Sequence, residues 1–189
     1  MEKVQETFVQ SNYEAKDVTF TGTEALLKGG VLSVILVFIF GLSYRFLLSD
    51  KAVMLDISGI KFPILFIAIC VVVTTVHELL HGLGWALASK KGWNVIKFNI
   101  NAMMPSCSCK AILKKKQYLF GVLMPFIVLG IGSVCFLLIY PGTLSLLTMV
   151  VALGGTGGDL LIVFNILKEN NDSFISDHPS KAGYIAYIK

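Results

Sequence analysis

The chain has 189 residues, of which 55% are hydrophobic and 15% charged, and its mean hydropathy is +0.75. Soluble domains carry about 25% charged and about 45–50% apolar residues, so this composition argues against a soluble enzyme and against a disordered chain. The net charge of +4 is too small to argue for nucleic acid, and the four cysteines, Cys70, Cys107, Cys109 and Cys135, imply no disulfide framework.

Residues 1–27 are polar and mixed in charge, and the first apolar run follows without a small-residue cleavage site, so no secretory signal is expected. The apolar residues then cluster. Residues 29–44, 62–76 and 118–140 contain no Asp, Glu, Lys, Arg or His, and 142–167 contains only Asp159. Runs of about 20 apolar residues read as membrane-spanning helices, because lipid offers a backbone no hydrogen bonds. Four such helices are expected, over about 25–48, 62–88, 118–140 and 144–167. Thr21 and Glu24 stand at capping-box spacing before the first. Pro125 is expected to kink the third, and Pro141-Gly142 ends it. The expected class is an all-α membrane protein forming one polytopic domain over 1–189. Its loop 89–117 includes a short strand-like segment.

That loop holds Lys90, Lys91, Lys97, Lys110, Lys114, Lys115 and Lys116 and no acid; the opposite side holds only Arg45, Lys51 and Lys61. The positive-inside rule therefore places the loop, segment 1–24 and tail 168–189 in the cytoplasm. Asn94 to Ile100, rich in β-branched and aromatic residues after Gly92, reads either as a strand at the membrane surface or as a loop tethered by Trp93. A strand with a free edge there could receive an extended peptide.

The chemistry is concentrated in helix two. His77-Glu78-Leu79-Leu80-His81 puts two imidazoles four residues apart, on one helical face, a spacing that suits two nitrogens on one Zn²⁺. Glu78, on the adjoining stripe, can take a proton from a zinc-activated water and return it to a leaving amine. This is the H-E-x-x-H pattern of zinc hydrolases. A polar cluster that only bonds neighbouring helices is the competing reading; ionisable groups within a span are costly and are functional by default.

A catalytic zinc takes a third protein ligand. Away from helix ends, the one other formal charge in a span is Asp159, in Gly154-Gly155-Thr156-Gly157-Gly158-Asp159. The glycines let the helix unwind or approach a neighbour closely. His77 and Asp159 each lie about 15 residues from the outer ends of their helices, hence roughly 22 Å deep at about 1.5 Å per residue. That shared depth favours Asp159. His178 and Glu169 are weaker candidates in or near the polar tail. Cys107 and Cys109 form a C-x-C pair without a second pair to complete a Cys₄ site, and are read as free thiols. Asn94, Asn99 and Asn101 could bind a substrate backbone, with nothing to select among them.

These residues give the chain a resemblance. It resembles a family of small bacterial membrane proteins described as zincin peptidases, and more broadly the site-2 type of intramembrane zinc metalloprotease. The carriers are His77 to His81, Cys107 to Tyr118 leading into a helix with Pro125, Gly157-Gly158-Asp159-Leu160, and Asp177-His178-Pro179 followed by Gly183. The resemblance implies a three-helix core with strand-like segments, zinc on His77, His81 and Asp159, and Glu78 as base. The Asn-Pro-Asp-Gly type of sequence typical around the site-2 aspartate is replaced here by a glycine run. The expected function is a zinc metalloendopeptidase acting within or beside a bacterial cell membrane on a membrane-associated or transmembrane polypeptide. The alternative is a non-catalytic membrane protein, a metal-ion transporter or partner-binding scaffold, that uses the same His/Asp cluster.

Overall fold

In the computed structural model the described residues are 13–47, 49–51, 55, 58–101 and 104–189. Residues 1–12 of the expected cytoplasmic segment and the side chain of Asn101 lie outside them. Strand β1 (Glu14–Phe20) leads into α1 (Gly22–Leu47), and α2 spans Lys61–Ser89. The hairpin β2 (Ile96–Asn101) and β3 (Met104–Cys109) follows, then β4 (Leu113–Lys114) and α3 (Lys115–Ile139). A fourth long helix, α4 (Thr143–Leu167), precedes β5 (Phe174–Asp177) and β6 (Ala182–Ile188).

All four long helices have the length and apolarity to cross a membrane. Large apolar side chains such as Val34, Phe38, Ile64, Val72 and Ile139 are exposed along them. The expected helix bounds are met to within a few residues. The α1 capping box forms: Thr21 Oγ1 accepts from the Glu24 amide (3.2 Å) and Glu24 Oε2 accepts from the Thr21 amide (3.1 Å).

The expected all-α class is corrected. The protein is mostly helical but carries two small antiparallel sheets. Beside the β2–β3 hairpin stands a four-stranded sheet of order β1-β6-β5-β4, which pairs Glu14 with Ile188 and Leu113 with Ile175. The start of α1, the end of α2, the start of α3 and the end of α4 all meet the strands, so both sheets gather at one end of the helices. There Trp85, Tyr118, Ile166, Ile175, Tyr184 and Ala186 form the main buried cluster. Lys115 is buried at this junction, and its ammonium donates to the Leu167 and Glu169 carbonyls (3.2 and 2.7 Å), capping the C-terminal end of α4.

Two close helix crossings position the site. A Cβ on Gly157 would overlap the Gly29 carbonyl oxygen and the Ser33 hydroxyl, so α1 and α4 touch backbone to backbone. Ser33 Oγ fixes that crossing by donating to the Gly154 carbonyl at 2.7 Å. A Cβ on Gly84 would stand 2.7 Å from Gly121 Cα, so α2 and α3 are equally close. The expectation that the glycine run either unwinds or approaches a neighbour is met twice: α4 also breaks at Thr156. Gly157→Ala is expected to cost about 1–3 kcal/mol of stability by overpacking, read as a lowered unfolding midpoint in detergent. Gly154→Ala, where a Cβ meets open space, leaves the midpoint unchanged or higher.

Candidate metal centre

Helix α2 presents His77, His81 and Trp85 at successive four-residue steps, all buried. The break at Thr156 restarts α4, and Asp159 falls in the first turn of the new segment, where a helix N-terminus favours a carboxylate. The structure brings these residues together. His77 Nε2 and His81 Nε2 are 3.2 Å apart. Asp159 Oδ2 lies 3.0 Å from His77 Nε2, and Asp159 Oδ1 lies 3.3 Å from His81 Nε2. One ligand atom from each residue gives a triangle with no side above 4.8 Å.

This donor set fits zinc. Ligands about 2.0–2.1 Å from a tetrahedral ion stand about 3.3 Å from one another, close to the pair distances here. Asp159 Oδ2 is also buried without a hydrogen bond, despite the imidazole nitrogen beside it. His81 Nδ1 is 3.0 Å from the Gly121 carbonyl oxygen and must donate to it, so a neutral ring turns the Nε2 lone pair toward the cluster. The His81 lone pair, the His77 Nε2 atom and the Asp159 carboxylate thus converge on one point, and a cation there satisfies all three residues.

The free carbonyl of Gly121 has a local cause. In a regular helix it would accept from the amide four residues on, but that residue is Pro125, which has none. His81 takes the vacated acceptor. Beyond the proline, α3 widens into a π-helical stretch over Phe126–Ile131. The expected kink is thus a local rearrangement that serves the site.

Glu78 lies beside the cluster and accepts from the Cys107 amide of β3 at 2.6 Å. A cleft of about 570 Å³ joins Glu78, His81 and Asp159 to β3 and the tail. The Asn94–Ile100 segment contains a strand, as one of its two readings expected, although Gly92–Val95 is a 3-10 turn and the strand starts at Ile96, where it pairs into a hairpin. Gly82 lets the hairpin lie flush on α2, since a Cβ there would press within about 3 Å of the Trp93 and Phe98 rings.

The weaker candidates go elsewhere. Glu169 pairs with Lys16 (2.9 Å) and accepts from Tyr184, tying β1 to the tail. His178 Nδ1 accepts from the Ser180 and Lys181 amides and so builds a turn. Burial, with the Glu78 and Asp177 carboxylates nearby, pushes the Cys107 thiol up to about 12; burial pushes the Cys109 thiol up to about 11. Both stay protonated thiols at neutral pH, in line with the free-thiol reading.

One residue of the cleft wall was given no role from sequence. Asp177 accepts from the Cys109 amide at 2.6 Å and from the Tyr118 hydroxyl, which joins the tail to β3 and α3. Its signal was faint: it shares a strand face with the fully buried Ile175. Burial raises its carboxyl to about 6 from an ordinary 3.8, against the opposing pull of the two hydrogen bonds. Because the folded value is the higher one, this group's contribution is full below about pH 3.8 and is lost as pH rises through about 6. The wild type is expected to lose about 3 kcal/mol across that window relative to Asp177→Asn, measured as the difference in unfolding midpoint between the two proteins from pH 4 to 7. An equal slope in both contradicts the assignment.

Residues 69–174, more than half of the chain, match a family model described as "Putative zincin peptidase". No curated protein and no solved structure matches the chain. The matched segment runs from within α2 to the first residue of β5 and so contains His77, Glu78, His81 and Asp159 together. By that match the chain belongs to the zincin-peptidase family.

Proposed function

We propose that the chain is a zinc metalloendopeptidase of the site-2 protease-like type, acting within or beside a membrane, with His77, His81 and Asp159 holding the metal. The observation that carries this reading is the convergence of two imidazoles and one carboxylate from α2 and α4 to within 3.3 Å of one another. Bound zinc supplies Lewis-acid activation to the scissile carbonyl and the attacking water. Glu78 takes a proton from that water and returns it to the leaving amine as the C–N bond breaks. The Gly121 carbonyl holds the His81 ring in the tautomer that binds metal. The helices around the cluster exclude bulk water, and the cleft supplies the polar access path.

In this reading the whole chain, 1–189, is one polytopic domain. The lysines of the loop support, by the positive-inside rule, a cytoplasmic position in a bacterial cell membrane for the four-stranded sheet, both termini and the mouth of the cleft. The substrate is a membrane-associated or transmembrane polypeptide.

Purified protein is expected to hold about one zinc per chain. Glu78→Gln should keep that zinc and lower peptide cleavage by about 10²–10⁴-fold. Asp159→Asn should weaken zinc binding more than about a hundredfold. Zinc retained with no cleavage by the wild type would favour a scaffold, and metal flux into sealed vesicles a transporter. Pro125→Ala restores an amide that competes for the Gly121 carbonyl. Zinc affinity, measured by chelator competition, is then expected to fall about tenfold with the fold intact.

A further inference from the structure

Two cavities of opposite chemistry meet at Glu78. The first is the cleft of about 570 Å³, which Glu78 shares with His81 and Asp159. Its outer wall carries Lys97 from β2, Lys110 from just beyond β3, and Lys181 from the turn before β6. The second is a groove of about 490 Å³ on the other side of the cluster. It is lined by Val71, Val73 and Val151 together with His77 and Glu78. Thr74 and Thr75 also line it, and the Thr75 hydroxyl is taken up by the Val71 carbonyl of its own helix at 2.7 Å.

The three lysines are exposed, and among the described residues none lies within 4.0 Å of a carboxylate. Topology alone would ask only that they lie on one side of the membrane. Here they come from three separate elements, one of them in the tail, and rim a single opening. Strand β3 runs between the two cavities: Pro105 lines the groove, Cys107 meets Glu78, and Lys110 lines the cleft. From Cys107 to Lys110 an extended chain advances about 10 Å.

We propose that this site selects a polypeptide whose scissile bond lies where an apolar stretch gives way to an acidic one, the apolar side lying in the groove and an Asp or Glu two to four residues beyond the cut meeting Lys97, Lys110 and Lys181. The inference rests on the metallopeptidase reading and adds the substrate class. Apolar burial holds one arm. Long-range attraction to unpaired ammonium groups draws in the other, an effect that salt screens.

The test uses the full zinc-loaded chain in a neutral detergent. Synthetic peptides share one apolar half and carry Asp, Asn or Lys three residues beyond the expected cut. Cleavage is measured as kcat/KM, and binding of each labelled peptide to the Glu78→Gln protein as anisotropy. The Asp peptide is expected to exceed the Asn peptide about tenfold in both readouts, a few-fold for each exposed pair. The Lys peptide should fall lower still, and 0.5 M salt should remove most of the difference. The K110E/K181E protein, altered only at exposed positions, is expected to prefer the Lys peptide. A peptide with a polar half in place of the apolar one should also lose about tenfold.

Cleavage and binding indifferent to peptide charge overturn the proposal. So does a lysine effect that appears only in vesicles containing an anionic phospholipid, which would assign these side chains to headgroups. Failure of the parent reading is read separately. Charge-selective binding to Glu78→Gln, with no cleavage of any peptide by the zinc-loaded wild type, supports the selectivity of the cleft and overturns the hydrolase.

Discussion

Three lone-pair donors facing one another inside a helical bundle are unfavourable unless a cation lies among them. His77, His81 and Asp159 crowd three ligand atoms within 4.8 Å of one another, and one carboxylate oxygen is buried with only the His77 nitrogen beside it. The surrounding structure can be understood as what is needed to hold those donors in register. Helices α3 and α4 contribute features that would be defects elsewhere: a proline within a long helix, a broken turn and a run of glycines.

The break at Thr156 puts Asp159 into a fresh helix start, and Gly157 lets α1 press against the same turn from behind. Pro125 releases the Gly121 carbonyl for His81, while the absence of a side chain at Gly121 admits the Trp85 indole. Trp85 stacks on His81 with ring centroids 5.3 Å apart and donates to the Tyr118 carbonyl. One imidazole is thus fixed from two directions, a requirement for a ligand that must hold its orientation whether or not metal is bound. The cost of these irregularities is offset at the strand end of the molecule, where the two sheets and the Lys115 cap tie the helix ends together.

The long helices and the His/His/Asp cluster were legible in the sequence because each depends on local periodicity. Twenty apolar residues announce a span, a four-residue step aligns two imidazoles, and counting from the helix ends gives Asp159 the depth of His77. The four-stranded sheet was not legible. Glu14 pairs with Ile188 at the far end of the chain, β4 has only two residues, and β6 reads as a short apolar run rather than an alternation. Asp177 was hidden for the same reason, since its partners Tyr118 and Cys109 are distant in sequence. Pro125 was legible as an irregularity but not as the source of a free acceptor, which requires the register between α2 and α3.

A zinc ion held by imidazole and carboxylate, and not by the nearby thiols, has a distinct X-ray absorption signature. Zinc-edge X-ray absorption on the purified protein tests for it most directly. Zinc on His77, His81 and Asp159 gives a low-coordinate ion with only nitrogen and oxygen neighbours at about 2.0–2.1 Å, two of them showing the outer-shell scattering of imidazole. A sulfur shell at about 2.3 Å, which Cys107 or Cys109 would produce, or a zinc with no imidazole signature, would contradict it.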